Sequence, residues 1–66
     1  MTIRDLLENC IEIQGDVSIW QGEYPNTKIL YDGDNIRQAK TALDHEILYI
    51  YPARGYADGK IIIEVE

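Results

Sequence analysis

The chain has almost none of the residues that small proteins use for chemistry. Its 66 residues include one Cys, one His, one Trp and one Ser. One Cys closes no internal disulfide, and no Cys/His cluster has the spacing of a zinc site. No apolar run approaches the ~20 residues that cross a bilayer. The N-terminus leads into an acidic amphipathic stretch, so no signal peptide is expected. Basic residues are also scarce: six Lys and Arg stand against twelve Asp and Glu, a formal net charge of −6. That balance opposes direct binding to nucleic acid, whose phosphates need a basic surface. It equally opposes an anionic membrane surface. It permits a protein partner with a basic groove, such as a nucleic-acid-binding protein, and it also serves plain solubility. The expected setting is reducing and cytoplasmic, with no cofactor and no metal.

What is present suits a small folded domain. The apolar fraction of 45% is ordinary for a globular protein and argues against disorder. Residues 1–66 make a single domain, but a chain this short buries only about 60% of its unfolded surface. Without a disulfide or metal, stability has to come from a compact apolar core or from self-association.

Thr2 and Asp5 have the spacing of a capping box, and Asp5 and Glu8 suit the positive end of a helix. Ile3, Leu6, Leu7 and Cys10 follow at helical spacing, which predicts a helix of about two turns whose apolar stripe docks on something else. Ile11-Glu12-Ile13 alternates, Gly15-Asp16 breaks the pattern, and residues 17–21 alternate again as a strand. There Val17 and Ile19 face the core, while Ser18 and Trp20 face the other side. Residues 23–27 have turn chemistry around Pro25 and Asn26, and residues 28–31 return as a second strand. Asp32-Gly33-Asp34-Asn35 reads as a stop. Asp34 is placed to cap a short helix over 36–43, with Ile36, Ala39 and Ala42 or Leu43 as its thin apolar face; a structured loop fits there almost as well. Residues 46–51 are the strongest strand, ending at Pro52. There Leu48 and Ile50 oppose Ile47, Tyr49 and Tyr51. A loop over 53–59 leads to a last strand over 60–65, with Ile61, Ile63 and Val65 on one face and Lys60, Ile62 and Glu64 on the other.

The expected fold is therefore α+β: a small antiparallel sheet of about four strands in two hairpins. The N-terminal helix packs on one face, in the order α-β-β-(α)-β-β. One sheet face stays uncovered.

Candidate chemistry is thin. Cys10 and His45 are the one possible Cys/His pair, but Cys10 lies on an apolar stripe, where a buried structural thiol is the default. Ser18 lacks the glycines of a nucleophile elbow. Paired carboxylates such as Glu12 with Asp16, or Asp32 with Asp34, read as turn-forming and solvating residues. The Asp32-Gly33-Asp34-Asn35 stretch lacks the alternating ligands and terminal Glu of a calcium loop. Arg54-Gly55-Tyr56 contains no phosphate-binding pattern. What remains is a set of side chains of the types that anchor interfaces: Trp20, Tyr24, Tyr49, Tyr51, Arg54 and Tyr56. Asp32, Asp34, Asp44 and Glu46 are placed to supply electrostatic complementarity. The same aromatics also serve cross-strand packing in a small sheet.

The opening Thr2-Ile3-Arg4-Asp5-Leu6-Leu7-Glu8-Asn9 and the ending segments Ile47-Leu48-Tyr49-Ile50-Tyr51 and Lys60-Ile61-Ile62-Ile63-Glu64-Val65 resemble short proteins encoded by phages and mobile elements of Firmicutes. The resemblance covers about half the chain and carries over no functional residue. It implies an accessory protein of such an element. The expected function is a small, acidic, non-enzymatic protein-binding module that engages, and by analogy inhibits, a larger host protein. The alternatives are a homodimer or higher oligomer built through a sheet edge or exposed sheet faces, and a small Cys10/His45 enzyme.

Overall fold

In the computed structural model, which describes residues 1–9, 13–23, 25–55 and 59–66, Thr2 starts the first helix. Both halves of the capping box are made: the Asp5 N–H donates to Thr2 Oγ1 at 3.1 Å, and the Thr2 N–H donates to Asp5 Oδ2 at 3.0 Å. The donated Thr2 N–H holds the Asp5 carboxyl below its usual range. Helix α1 runs Ile3–Glu8 and buries Ile3 and Leu6. Cys10, Ile11 and Glu12, the expected end of that stripe and the alternation after it, lie outside the described residues.

Four strands follow: β1 (Gln14–Gln21), β2 (Lys28–Asn35), β3 (Ile47–Pro52) and β4 (Ile61–Val65). Each hairpin is antiparallel as expected, and the α+β class stands. The sheet as a whole is mixed, however, because its order is β2-β1-β4-β3 and the central pair β1 and β4 is parallel. The cause is the crossing between the hairpins. Residues 36–46 return the chain across one face, so β3 runs in the same direction as β2 and β4 in the same direction as β1.

That crossing corrects two expectations. Residues 32–35 do not stop the second strand; they complete it. The Tyr31 ring lies over Gly33, where a Cβ would come within 2.5 Å of the phenol oxygen. The same hydroxyl donates to the Asn35 carbonyl at 2.7 Å and accepts from the Asn35 N–H at 3.0 Å, which ties down the strand end. Asn35, not Asp34, then caps the next element, its Oδ1 accepting from the Arg37 N–H at 3.1 Å. In place of one helix over 36–43 there are two 3-10 turns, Ile36–Gln38 and Lys40–Ala42. Three residues per turn put Ile36, Ala39 and Ala42 on one face, and all three are buried.

The strand registers shift in three places, one of them between Ile19 and Trp20 where β1 meets β2. Gly15, with φ +101°, sits where the β1 register shifts between Gln14 and Val17, so the expected break at 15–16 lies inside the strand. A shift between Ile47 and Tyr49 splits the set expected on one side of β3. Ile47 packs against the core, while Tyr49 and Tyr51 stay on the opposite face.

The core lies between the sheet and the covering layer of α1 and the two turns. It consists of Ile3, Leu6, Val17, Ile19, Ile36, Ala39, Ala42, Ile63 and Val65. The expected faces of β1 and β4 are those observed.

Candidate functional site

The other face of the sheet has no covering helix among the described residues, and the strand registers set its pattern. One row reads Asp32, Ser18, Ile62, Tyr51; the next reads Ile29, Trp20, Glu64, Tyr49. β-branched and aromatic residues fit such half-buried positions, where neighbours across strands pack against each other.

The Trp20 indole is held down on this face. Its Nε1–H donates to Ser18 Oγ at 2.7 Å, and the Ser18 hydroxyl donates to the Tyr31 carbonyl at 3.3 Å. Ser18 and Ile62 are consequently buried although they point away from the main core. Above them lies a groove of about 390 Å³ lined by Trp20, Ile29, Asp32, Tyr51, Arg54 and Lys60, among others. A second, of about 310 Å³, lies at the other end of the sheet beside Gln21, Leu48, Tyr49 and Glu64.

Most of the charge on the first groove is already committed. Lys60 Nζ pairs with Asp32 Oδ1 at 2.6 Å, and that hydrogen bond raises the ammonium's pKa. The Tyr51 phenol is pushed up by burial, and its hydrogen bond to the Glu64 carboxylate raises it further. Glu64 itself lines the second groove. The Arg54 guanidinium has no such partner among the described residues and is exposed.

Four of the ten expected site residues, Trp20, Asp32, Tyr51 and Arg54, line this groove. Tyr49 lies on the same face one row away, and Asp34 is exposed on β2 two residues beyond Asp32. Tyr24 and Tyr56 lie outside the described residues. Asp44 and Glu46 line neither groove and serve a structural purpose. Asp44 accepts from Arg4 Nε at 2.8 Å and Nη2 at 3.3 Å, which lowers its pKa, and Glu46 pairs with the Met1 ammonium. Together with the bonds Arg4 N–H to Leu43 O, 2.8 Å, and Ile47 N–H to Met1 O, 2.8 Å, they fasten the N-terminal residues along 43–47.

Ile29, Lys60, Ile62 and Glu64 join the site without having been singled out. Alternation placed Lys60, Ile62 and Glu64 on one face of β4 and Ser18 with Trp20 on one face of β1. The adjacency of β1 and β4 merges the two faces.

Among the described residues no catalytic constellation accompanies them. The Ser18 hydroxyl is engaged at both ends by Trp20 and Tyr31. His45 Nδ1 stands 2.8 Å from the main-chain oxygen of Glu66, which fixes the ring proton on Nδ1; that oxygen also accepts from Gln21 Nε2 at 3.1 Å. The Cys10 half of the Cys/His pair lies outside the described residues. Among the described residues no group of three or more His, Cys, Asp or Glu gathers as a metal ion requires, and no helix is long and apolar enough to cross a membrane. Comparison with family models, with curated proteins and with solved structures finds no match to this chain.

Proposed function

We propose that this chain is a small non-enzymatic protein-binding module that engages a larger partner through the open face of its sheet. The observation that carries the reading is the aromatic platform of Trp20 and Tyr51. Trp20 is held by the Ser18 hydroxyl, Tyr51 lies beside Glu64, and the exposed Arg54 borders the groove. Trp, Tyr and Arg are the side chains that dominate binding energy at interfaces. Rings held in place before binding lose little freedom on docking.

The resemblance of the chain ends to phage and mobile-element proteins supports an accessory role in the cytoplasm, with a host protein as partner and inhibition as the consequence. Where the acidic residues sit changes how that partner is read. Asp32, Asp44 and Glu46 each already hold a cation of the same chain. Mimicry of a nucleic acid by these carboxylates is therefore less favoured than contact through the aromatic face. Binding of that kind varies little with salt, whereas a polyanion mimic loses affinity steeply.

A photoreactive side chain in place of Tyr49, which is 64% exposed on this face, tests the proposal against the same group in place of Glu8 on α1. The expected result in host lysate is one adduct specific to position 49, unchanged at moderate salt and competed away by unlabelled protein. The competition should fail when the competitor carries Arg54→Glu. Equal labelling from both positions, or competition indifferent to Arg54→Glu, refutes it.

A further inference from the structure

Leu48, Tyr49 and Ile50 are consecutive large apolar residues exposed by 50%, 64% and 50% on β3, a strand at the edge of the sheet. Beyond the bulge at Leu48, Tyr49 and Ile50 point to opposite faces, so their exposure leaves both sides of that edge open. We infer that this edge pairs with the same edge of a second copy of the chain, antiparallel about a two-fold axis beside Tyr51.

The backbone of β3 limits what can add to it. The Ala53 N–H bonds to the Lys60 carbonyl at 2.8 Å. Alternation along the ladder then turns Tyr49, Tyr51 and Ala53 toward β4 and leaves Ile50 and Pro52 facing outward. Pro52 has no N–H, so the outward donor between them is the Ile50 N–H. The start of the strand is taken: Thr2 bridges Glu46, and Met1 accepts the Ile47 N–H. A second strand has room only from Leu48 onward.

Registers centred on Tyr49 or Ile50 drive the second copy into Met1. Centring on Tyr51 sets Arg54 opposite Leu48, so β3 of the second copy, which ends at Pro52, stops short of Met1. It sets Ile50 opposite Pro52 of the second copy, so the Ile50 N–H of each copy donates to the Pro52 carbonyl of the other. Each missing proline N–H leaves the facing Ile50 carbonyl of the other copy without a ladder partner, which weakens the pairing.

Charge selects the same arrangement. Residues 47–53 carry no charge, with Glu46 before them and Arg54 after. Antiparallel pairing brings Arg54 of each copy toward the Glu46 end of the other; parallel pairing would set like against like. The faces also agree. Tyr49 and Tyr51 of both copies fall on the open side, the Tyr51 rings meet across the axis, and the two open faces become one. A single-strand contact buries less than the ~1,200 Å² of a standard interface, so the dimer is weak and concentration-dependent.

Sedimentation equilibrium up to millimolar concentration, on wild type and on synthetic protein N-methylated at Ile50, tests this. Because that N–H faces outward, methylation leaves the fold, read by circular dichroism, intact. The expected result is a monomer–dimer equilibrium for wild type, weakened about tenfold or more by loss of two hydrogen bonds per dimer. In a Cys10→Ser background, Tyr51→Cys should oxidise to a disulfide dimer, and Ile29→Cys, more exposed and on the opposite edge strand β2, should not. A wild-type monomer at every concentration overturns the inference. So does a dimer indifferent to Ile50 methylation, or equal cross-linking from both cysteine variants. Partner labelling from position 49 is read separately, so failure here leaves the open-face proposal standing.

Discussion

Substitution of Ser18 by Ala tests whether the aromatic platform is built into the monomer. The Ser18 hydroxyl is buried at 1% exposure, accepts from Trp20 Nε1 at 2.7 Å and donates to the Tyr31 carbonyl at 3.3 Å. Ser18→Ala removes both bonds with almost no change in volume. A neutral hydrogen bond contributes about 0.5–1.5 kcal/mol net. The 3.3 Å bond lies at the weak end, and the half-buried indole can turn its N–H toward water. The expected loss is therefore about 1–2 kcal/mol. A domain of this size has only about 3–10 kcal/mol in total, and each kcal/mol moves Tm by about 4–8 °C. Urea unfolding followed by Trp20 fluorescence measures both consequences, because Trp20 is the one Trp in the chain. The variant should unfold at lower urea with unchanged slope, and its folded-state emission should shift to the red as the indole loosens. Unchanged stability together with an unchanged spectrum would refute the claim that Ser18 holds the platform.

Gly33→Ala should destabilise by about 1–3 kcal/mol, the usual penalty for overpacking, since the new Cβ meets the Tyr31 ring and displaces its hydroxyl from Asn35; thermal unfolding of Gly33→Ala alone and combined with Tyr31→Ala separates the clash from other causes. Ile63→Val, at the fully buried centre of the sheet, should cost about 0.5–1.5 kcal/mol by the same measurement. Thr2→Ala removes half of the capping box and should cost about 1 kcal/mol, with faster amide exchange in α1. The pKa values of Asp5 and Asp44 are lower in the folded chain than their ordinary values, by hydrogen bonding from Thr2 and from Arg4 respectively. The stability they contribute is present above the ordinary carboxylate range and lost as pH falls through the lowered values. Tm should therefore drop on strong acidification, and the drop should be smaller in Arg4→Gln.

The local physics of this chain was legible residue by residue. The Thr2 and Asp5 spacing specified the cap, and alternation specified which side of β1 and β4 meets the core. The spacing of Ile36, Ala39 and Ala42 was legible as apolar, but a period of three fits a thin helical stripe as well as two 3-10 turns. Asp32-Gly33-Asp34-Asn35 has turn composition, and its extension into a strand depends on the Tyr31 ring covering Gly33, a contact made only once the strand exists. Asp44 and Glu46 looked like free surface charge because their cations, Arg4 and the Met1 ammonium, are some forty residues away in sequence.

The sequence by itself determined the number of strands, the short capped helix, the acidic charge and the absence of a strong catalytic or metal-binding motif, because each follows from residue type and near-neighbour spacing. Only the tertiary structure decided that the two hairpins join through a parallel pair, β1 beside β4. Strand periodicity is the same whichever neighbour a strand takes, and the direction of that pairing is set by the crossing over 36–46. That single adjacency brings Trp20, Ile62 and Tyr51 together, and with them the face proposed to bind.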